Sequence, residues 1–129
     1  MGYKKGQVVL ISRIKFADNG QYDHAASRPT LIPIASDDYT GETYYLTLTH
    51  NIGRINICPE QYYDLSENWR EAHLLKPSLI NLENIYVGQI TGEVKGGLSP
   101  QMIRDVIREL KEYQEKHPCD NYEKIKGKL

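Results

Sequence analysis

One amphipathic helix near the end of the chain most constrains what this sequence can fold into. Ser99 and Pro100 form a pair typical of a helix start, because serine caps free amides and proline is tolerated at the first helical position. Behind them, six apolar side chains at helical spacing predict a helix over residues 100–116: Met102, Ile103, Val106, Ile107, Leu110 and Tyr113. A helix with one apolar stripe needs another layer to cover, and the preceding residues must supply that layer.

Those preceding residues have the pattern of short strands. Runs of β-branched and aromatic residues alternate with turn signals, and they predict strands at 7–16, 30–35, 42–48, 54–57, 79–82 and 85–90. Pro33 has no amide to donate, so its strand should have a free edge or a bulge there. Between the strands we expect a loop at 17–27, a short helix or irregular loop at 66–75, and a turn region at 92–97.

A set of strands followed by one helix predicts a mainly β fold with a C-terminal helix, either a small β-barrel or a curled sheet. The chain has 129 residues, which suits one domain with one core. We expect that domain to span 1–117 and a frayed polar tail to span 118–129.

Composition and charge exclude several classes of function. The net charge is −1, which argues against a protein that coats long DNA and leaves room for a local phosphate site. No apolar run approaches the roughly 20 residues that span a bilayer, and no signal-peptide core is apparent near the start. We therefore expect a cytoplasmic protein away from membranes. Its two cysteines and four histidines lack metal-ligand spacing, so no metal or other cofactor is expected.

Two predicted strand ends carry polar groups suited to a phosphate. Arg28 precedes Pro29, which disfavours helix at the arginine and holds it on extended backbone. Guanidinium groups bind phosphate oxygens with two parallel hydrogen bonds. The strand that ends at Thr49, His50 and Asn51 presents hydroxyl, imidazole and amide groups. We expect these two ends to form one site, although an arginine in this setting is often only a surface charge.

The order of five segments resembles the PemK/MazF-like toxin family. The segments are GQVVL at 6–10, RPTLI at 28–32, LTLTHN at 46–51, KPSLINLENI at 76–85 and ITGEVKGGLS at 90–99, just before the predicted helix. The resemblance covers most of the chain and implies an SH3-like small β-barrel of the CcdB/PemK fold group, which usually forms a homodimer. It also implies a metal-independent endoribonuclease that cleaves single-stranded RNA and is held in check by a cognate antitoxin.

Carried onto this sequence, the resemblance implies that Arg28 and Thr49 are catalytic, and that Ser78 matches a serine better suited to a structural role. The chain has His50 and Asn51 where the family often has serine or alanine followed by glutamine.

Cleavage without metal uses the neighbouring 2′-hydroxyl as nucleophile, so a base, a cation and a proton donor are needed. Arg28 suits the phosphate and Thr49 can donate to a non-bridging oxygen. His50 and His24 are candidate bases, but strand alternation places Thr49 and His50 on opposite faces and favours Thr49 with Thr47. Further candidates for catalysis or RNA binding are Asn51, Ser78 and Tyr45. Two alternatives stay open: a non-catalytic SH3-like binding module and a gyrase poison of the same fold group.

Overall fold

The computed structural model describes residues 3–15, 21–23 and 30–129, with the backbone alone at 12–15 and 21–23. Within these ranges the strands are β1 Gln7–Lys15, β2 Gln21–Asp23, β3 Thr30–Ser36, β4 Thr43–Thr49, β5 Tyr62–Leu65, β6 Ser78–Asn81 and β7 Tyr86–Gly97. The α-helices are α1 Pro100–Lys116 and α2 Asp120–Ile125, and 3₁₀ helices form at Ile52–Asn56, Pro59–Gln61 and Lys126–Lys128. Of the helices described, none has the length and apolar character needed to cross a membrane.

The strands pair antiparallel in the order β2-β1-β3-β4-β6-β5, and β7 pairs with both β1 and β4. β3 therefore lies between two strands that β7 also joins. The register of the central strands is set by Val9 opposite Leu31, Leu31 opposite Thr47, and Leu48 opposite Ile80. The predicted mainly β fold with a C-terminal helix is confirmed at this level.

The bulge predicted at Pro33 is confirmed. The register between β3 and β4 shifts between Pro33 and Ala35, where the missing proline amide leaves a gap in the ladder. The carbonyl of Pro33 accepts a hydrogen bond from the Gly6 amide at 2.9 Å, which ties the start of β1 to this point.

The strand predicted at 54–57 is wrong. The chain there forms the 3₁₀ helix Ile52–Asn56, in which the Arg54 amide bonds the Asn51 carbonyl at 3.2 Å. The Ile57 amide in turn bonds the Arg54 carbonyl at 3.1 Å. The backbone hydrogen bonds of this segment form within the segment itself, because the chain folds back after β4 instead of pairing with a neighbouring strand.

The turn predicted at 92–97 is also wrong, because these residues form the second half of β7. They pair with β1, with Leu10 opposite Glu93 and Val8 opposite Gly96. A side chain at Gly92 would place its Cβ 2.5 Å from the Leu10 carbonyl oxygen. Glycine here allows two strands to approach closely. In the sequence, a glycine with this role cannot be told from a glycine that marks a turn.

Two predicted loops have different outcomes. Part of the loop predicted at 17–27 is the short strand β2, and the rest of it lies outside the described residues. The stretch 66–75 is irregular, one of the two predicted forms. It still contributes to the core through Ala72 and Leu74, which are buried, and Trp69 packs beside them.

The predicted helix is confirmed as α1, with the Ser99 Oγ accepting a hydrogen bond from the Met102 amide at 3.2 Å. Val106 and Leu110 are buried in the main core, and the other members of the apolar stripe pack against it. Gly6 makes this docking possible, because any Cβ there would collide with Ile103 and its φ of +84° favours glycine.

The sheet buries side chains on both faces. On the α1 side, alternate residues of β3 and β4 enter the main core, among them Ile32, Tyr44 and Leu46. On the other face a smaller cluster is buried, formed by Val9, Ile11, Leu31 and Tyr45.

The prediction of a frayed tail over 118–129 is wrong. Residues Asp120–Ile125 form α2, and its Tyr122 and Ile125 are each only 2% exposed within the main core. Their spacing of three residues puts both side chains on one face of the helix. The Asn121 side chain anchors the segment by donating to the Ile85 carbonyl at 2.7 Å.

Gln114 joins α1 to the sheet and to the segment that follows the helix. It is fully buried, and its Nε2 donates to the carbonyls of Leu82 at 2.8 Å and Glu83 at 2.9 Å. Its Oε1 accepts from the Cys119 amide at 2.9 Å. Three satisfied bonds in a buried position make this side chain a polar anchor within an apolar core.

We expect Gln114→Leu to lower the free energy of unfolding by about 2–4 kcal/mol, because leucine leaves the backbone partners of Gln114 without hydrogen bonds. Urea denaturation followed by circular dichroism measures this. Gln101→Leu on the exposed side of α1 is the control and should change stability by about 0.5 kcal/mol or less. Equal effects of the two variants would contradict the anchoring role.

Candidate functional site

The end of β4 separates its side chains onto the two faces of the sheet. Leu48 lies opposite Ile80 and packs on the main core, whereas Thr49 lies opposite Leu79. Because side chains alternate along a strand, Thr47 and Thr49 lie on the outer face, together with Tyr45. This is the face that the sequence favoured for a site.

The hydroxyl of Thr49 is held in a defined environment. Its Oγ1 accepts a hydrogen bond from the Asn51 amide at 3.2 Å, as the chain leaves the strand. The amide of Ile52 bonds the His50 carbonyl at 3.0 Å and closes the turn. Thr49 is the acceptor in this bond and donates to none of the residues that the structure describes, so its own proton can be donated to a ligand.

Arg54 extends over the same face. Its Nε donates to the hydroxyl of Tyr62 at 2.8 Å. Tyr62 lies opposite Asn81 on β6, and Asn81 shares a face of β6 with Leu79, the partner of Thr49. The turn after β4 and the pairing of three strands thus place Arg54 and Thr49 on one side of the sheet.

The Arg54 guanidinium is suited to binding an anion. Its hydrogen bond to Tyr62 raises the pKa of the guanidinium, which keeps it charged. This bond uses only the Nε donor, so the two terminal nitrogens can form a fork on a phosphate or carboxylate. Tyr62 is 5% exposed, so it gives the arginine a rigid support.

His50 lies on the opposite face, where its Nδ1 is 2.9 Å from the Oγ of Ser78. Ser78 is fully buried and donates its hydroxyl proton to the Lys76 carbonyl at 2.9 Å. The serine oxygen must therefore accept from Nδ1–H, and the exposed Nε2 of the neutral ring is an acceptor. Ser78 thus orients His50, and its own hydroxyl is occupied.

The structure does not bring every predicted site residue together. Arg28 and His24 lie outside the described residues, so their roles stay predictions. The first described residue after them, Thr30, begins β3 at the end of the sheet where β4 finishes, because Leu31 lies opposite Thr47.

Tyr45 is a core residue. Its ring is 2% exposed and stacks on Tyr86 with 5.9 Å between ring centroids. Burial raises the pKa of Tyr45 to about 12, with a smaller contribution from Tyr86. A ring enclosed in this way cannot stack on a nucleic-acid base, and this does not fit the proposed RNA contact at Tyr45.

Arg54 was missed as a site residue in the sequence because its segment was predicted to be a strand. Its link to Tyr62 spans eight residues and depends on the turn between β4 and β5. The one available signal was Gly53, which marks a change of chain direction beside the arginine.

No protein-family model matches the chain, and no curated protein matches it significantly.

The pKa of Tyr45 leads to a prediction for alkaline solution. In the unfolded chain a tyrosine loses its proton near pH 10, whereas Tyr45 in the folded protein keeps it to about pH 12. The neutral hydroxyl's contribution to stability is fully present below about pH 10 and is lost as the pH rises through about 12. As the pH rises from about 8 to about 11, the free energy of unfolding should fall in both proteins. We expect it to fall by about 1.4 kcal/mol less in Tyr45→Phe than in wild type.

Urea denaturation at the two pH values measures this difference. Tyr39→Phe is the control, because Tyr39 is fully exposed and its replacement should leave the alkaline loss of stability unchanged. The same alkaline loss in wild type and Tyr45→Phe would contradict the effect of burial.

Proposed function

We propose that this protein is a metal-independent endoribonuclease that cleaves single-stranded RNA and acts as the toxin of a toxin–antitoxin system. The observation that carries the proposal is the placement of Thr49 and Arg54 on one face of the β4–β6–β5 strands. A hydroxyl that can donate its proton and a supported guanidinium are two of the groups that cleavage of a phosphodiester requires.

Arg54 binds the scissile phosphate in this proposal. Its terminal nitrogens donate to two non-bridging oxygens and offset the charge that builds up as the 2′-oxygen attacks phosphorus. The bond to Tyr62 holds the side chain before substrate arrives, so less conformational freedom is lost on binding. Thr49 donates its proton to a non-bridging oxygen of the same phosphate.

We assign the base to His50, whose ring lies on the other face of β4 from Thr49 and must therefore reach the 2′-hydroxyl around the end of the strand. Ser78 holds the ring with Nδ1–H inward, which leaves Nε2 as the accepting nitrogen at the exposed end of β4. Attack of the 2′-oxygen breaks the bond from phosphorus to the 5′-oxygen, and that oxygen takes up a proton from water as it leaves. The products are a 2′,3′-cyclic phosphate and a 5′-hydroxyl, and no metal or cofactor takes part.

The proposal includes a closed SH3-like barrel of the CcdB/PemK fold group. Its support is the set of pairings β1–β3, β3–β4, β4–β7 and β7–β1, which form a ring of neighbouring strands. A homodimer, a cognate antitoxin, a cytoplasmic location and a phosphate-binding role for Arg28 belong to the same proposal, through the family resemblance.

We expect Thr49→Val to reduce the cleavage of a fluorescent single-stranded RNA by about 10²- to 10³-fold in the presence of a metal chelator. Thr49→Ser should retain most activity because it keeps the hydroxyl. Arg54→Lys should lose about tenfold or more, because lysine cannot form the fork or the Nε bond to Tyr62. Arg70→Lys is the control for Arg54, since Arg70 is exposed and lies over the ring of Trp69.

Equal cleavage by wild type, Thr49→Val and Arg54→Lys would overturn the proposed site. RNA binding without cleavage would instead identify a binding module. Inhibition of DNA supercoiling with intact RNA would identify a gyrase poison.

We expect His50→Gln to reduce cleavage by about 10²- to 10⁴-fold, the usual range for loss of a positioned base. Ser78→Ala should have a smaller effect in the same direction, because it removes only the group that orients the ring. Single-turnover kinetics with saturating enzyme measures the chemical step. His117→Gln is the control, since His117 follows the last turn of α1 and its ring contacts Tyr113 instead of Ser78. Unchanged rates in His50→Gln would exclude His50 as the base.

A further inference from the structure

A groove of about 350 Å³ lies along the side of α1 and has no part in the proposed RNA site. We call it the α1 groove, and its lining is Lys5, Ile103, Arg104, Ile107, Arg108 and Lys111. Four of these six side chains are cations, although the whole chain has a net charge of −1. Positive charge is thus concentrated at one place on a nearly neutral protein.

Part of this charge has no carboxylate partner among the described residues. Arg108 pairs with Asp105 at 3.1 Å, and more distantly with Glu109. Arg104 donates instead to a neutral amide, the Oε1 of Gln101, at 2.9 Å.

The two lysines contact main-chain oxygens. The Nζ of Lys111 lies 3.0 Å from the oxygen of Leu129, and that of Lys5 lies 3.5 Å from the oxygen of Lys128. Arg104 and Lys5 therefore have no anionic partner among the described residues, and Lys111 must exchange its bond to Leu129, the last residue of the sequence, to pair with a carboxylate of a ligand.

Ile103 and Ile107 form an apolar strip between these cations. They are one helical turn apart and partly buried, so each packs on the core and still faces the groove. The lining contains no aromatic side chain. Proteins usually hold single-stranded nucleic acid by stacking bases on aromatic rings, so this lining favours a different ligand.

We propose that the α1 groove binds an acidic segment of a partner protein that also carries apolar side chains. Its carboxylates pair with Arg104, Lys111 and Lys5, while its apolar side chains pack on Ile103 and Ile107. Arg104, Arg108 and Lys111 follow one side of α1 over about two turns, or about 10 Å, so the segment must span at least that length. None of the residues that line the α1 groove belongs to the proposed RNA site, so binding in the groove is tested separately from RNA cleavage.

Fluorescence anisotropy with the full chain tests the proposal. The probe is a labelled peptide of about 16 residues, enough for about four helical turns, with glutamates and leucines at helical spacing. A second peptide keeps the glutamates and replaces every leucine with glutamine. A third probe is a single-stranded RNA of equal charge. We expect the first peptide to bind about fivefold or more tightly than the second, because only it can cover the isoleucines.

The variant Arg104→Glu/Lys111→Glu should weaken binding of the first peptide by about tenfold or more, and added salt should weaken binding to wild type. Arg70→Glu/Lys124→Glu makes the same charge change at exposed positions outside the groove and should alter affinity by about twofold or less. Thermal unfolding checks that both variants are folded.

Three results would overturn the proposal. One is equal loss of affinity in the groove variant and the control, which would show only a general charge effect. Another is equal binding of both peptides, which would show that the apolar strip has no role. The third is displacement of the peptide by RNA from wild type together with loss of RNA binding in the groove variant, which would assign the groove to nucleic acid.

Discussion

The packing of α1 against the sheet is the interaction on which the rest of the structure depends. Val106 and Leu110 supply buried apolar contact, and Gly6 leaves the space that Ile103 occupies. Gln114 fixes the orientation of the helix on the sheet. Its three hydrogen bonds can form together in only one arrangement of the helix, the sheet and the chain that follows the helix. Apolar burial provides most of the driving force, and the buried amide selects the geometry.

This packing determines which surfaces are left for function. Because α1 covers one face of β4, Thr49 at the end of this strand lies on the other, outer face. The short strand β6 then joins β4 to β5 and brings the support of Arg54, Tyr62, to the same side. A strand of four residues thus brings the support of Arg54 to the side of the sheet that carries Thr49.

The same packing leaves the other side of α1 exposed, with its isoleucines and cations in a groove. The near-neutral net charge of the chain hides this local concentration, since carboxylates elsewhere balance it. Net charge excludes a protein that coats long nucleic acids, but it does not describe individual surfaces. Where the cations lie depends on how the helix is turned when it docks.

The sequence by itself determined the features that neighbouring residues encode. The helix at 100–116 follows from a cap, a proline and a period, and the bulge at Pro33 follows from a missing amide. The separation of Thr49 from His50 follows from strand alternation. Only the tertiary structure decided that the second half of β7 pairs with β1, because paired residues such as Leu10 and Glu93 are separated by most of the sequence.

Tertiary contacts also decided that Tyr45 is buried, that α2 packs on the core, and that Arg54 joins Tyr62. The physical reason is the same in each case. Propensity, capping and periodicity act over a few residues, whereas burial and hydrogen bonding between distant segments depend on which surfaces meet when the chain folds.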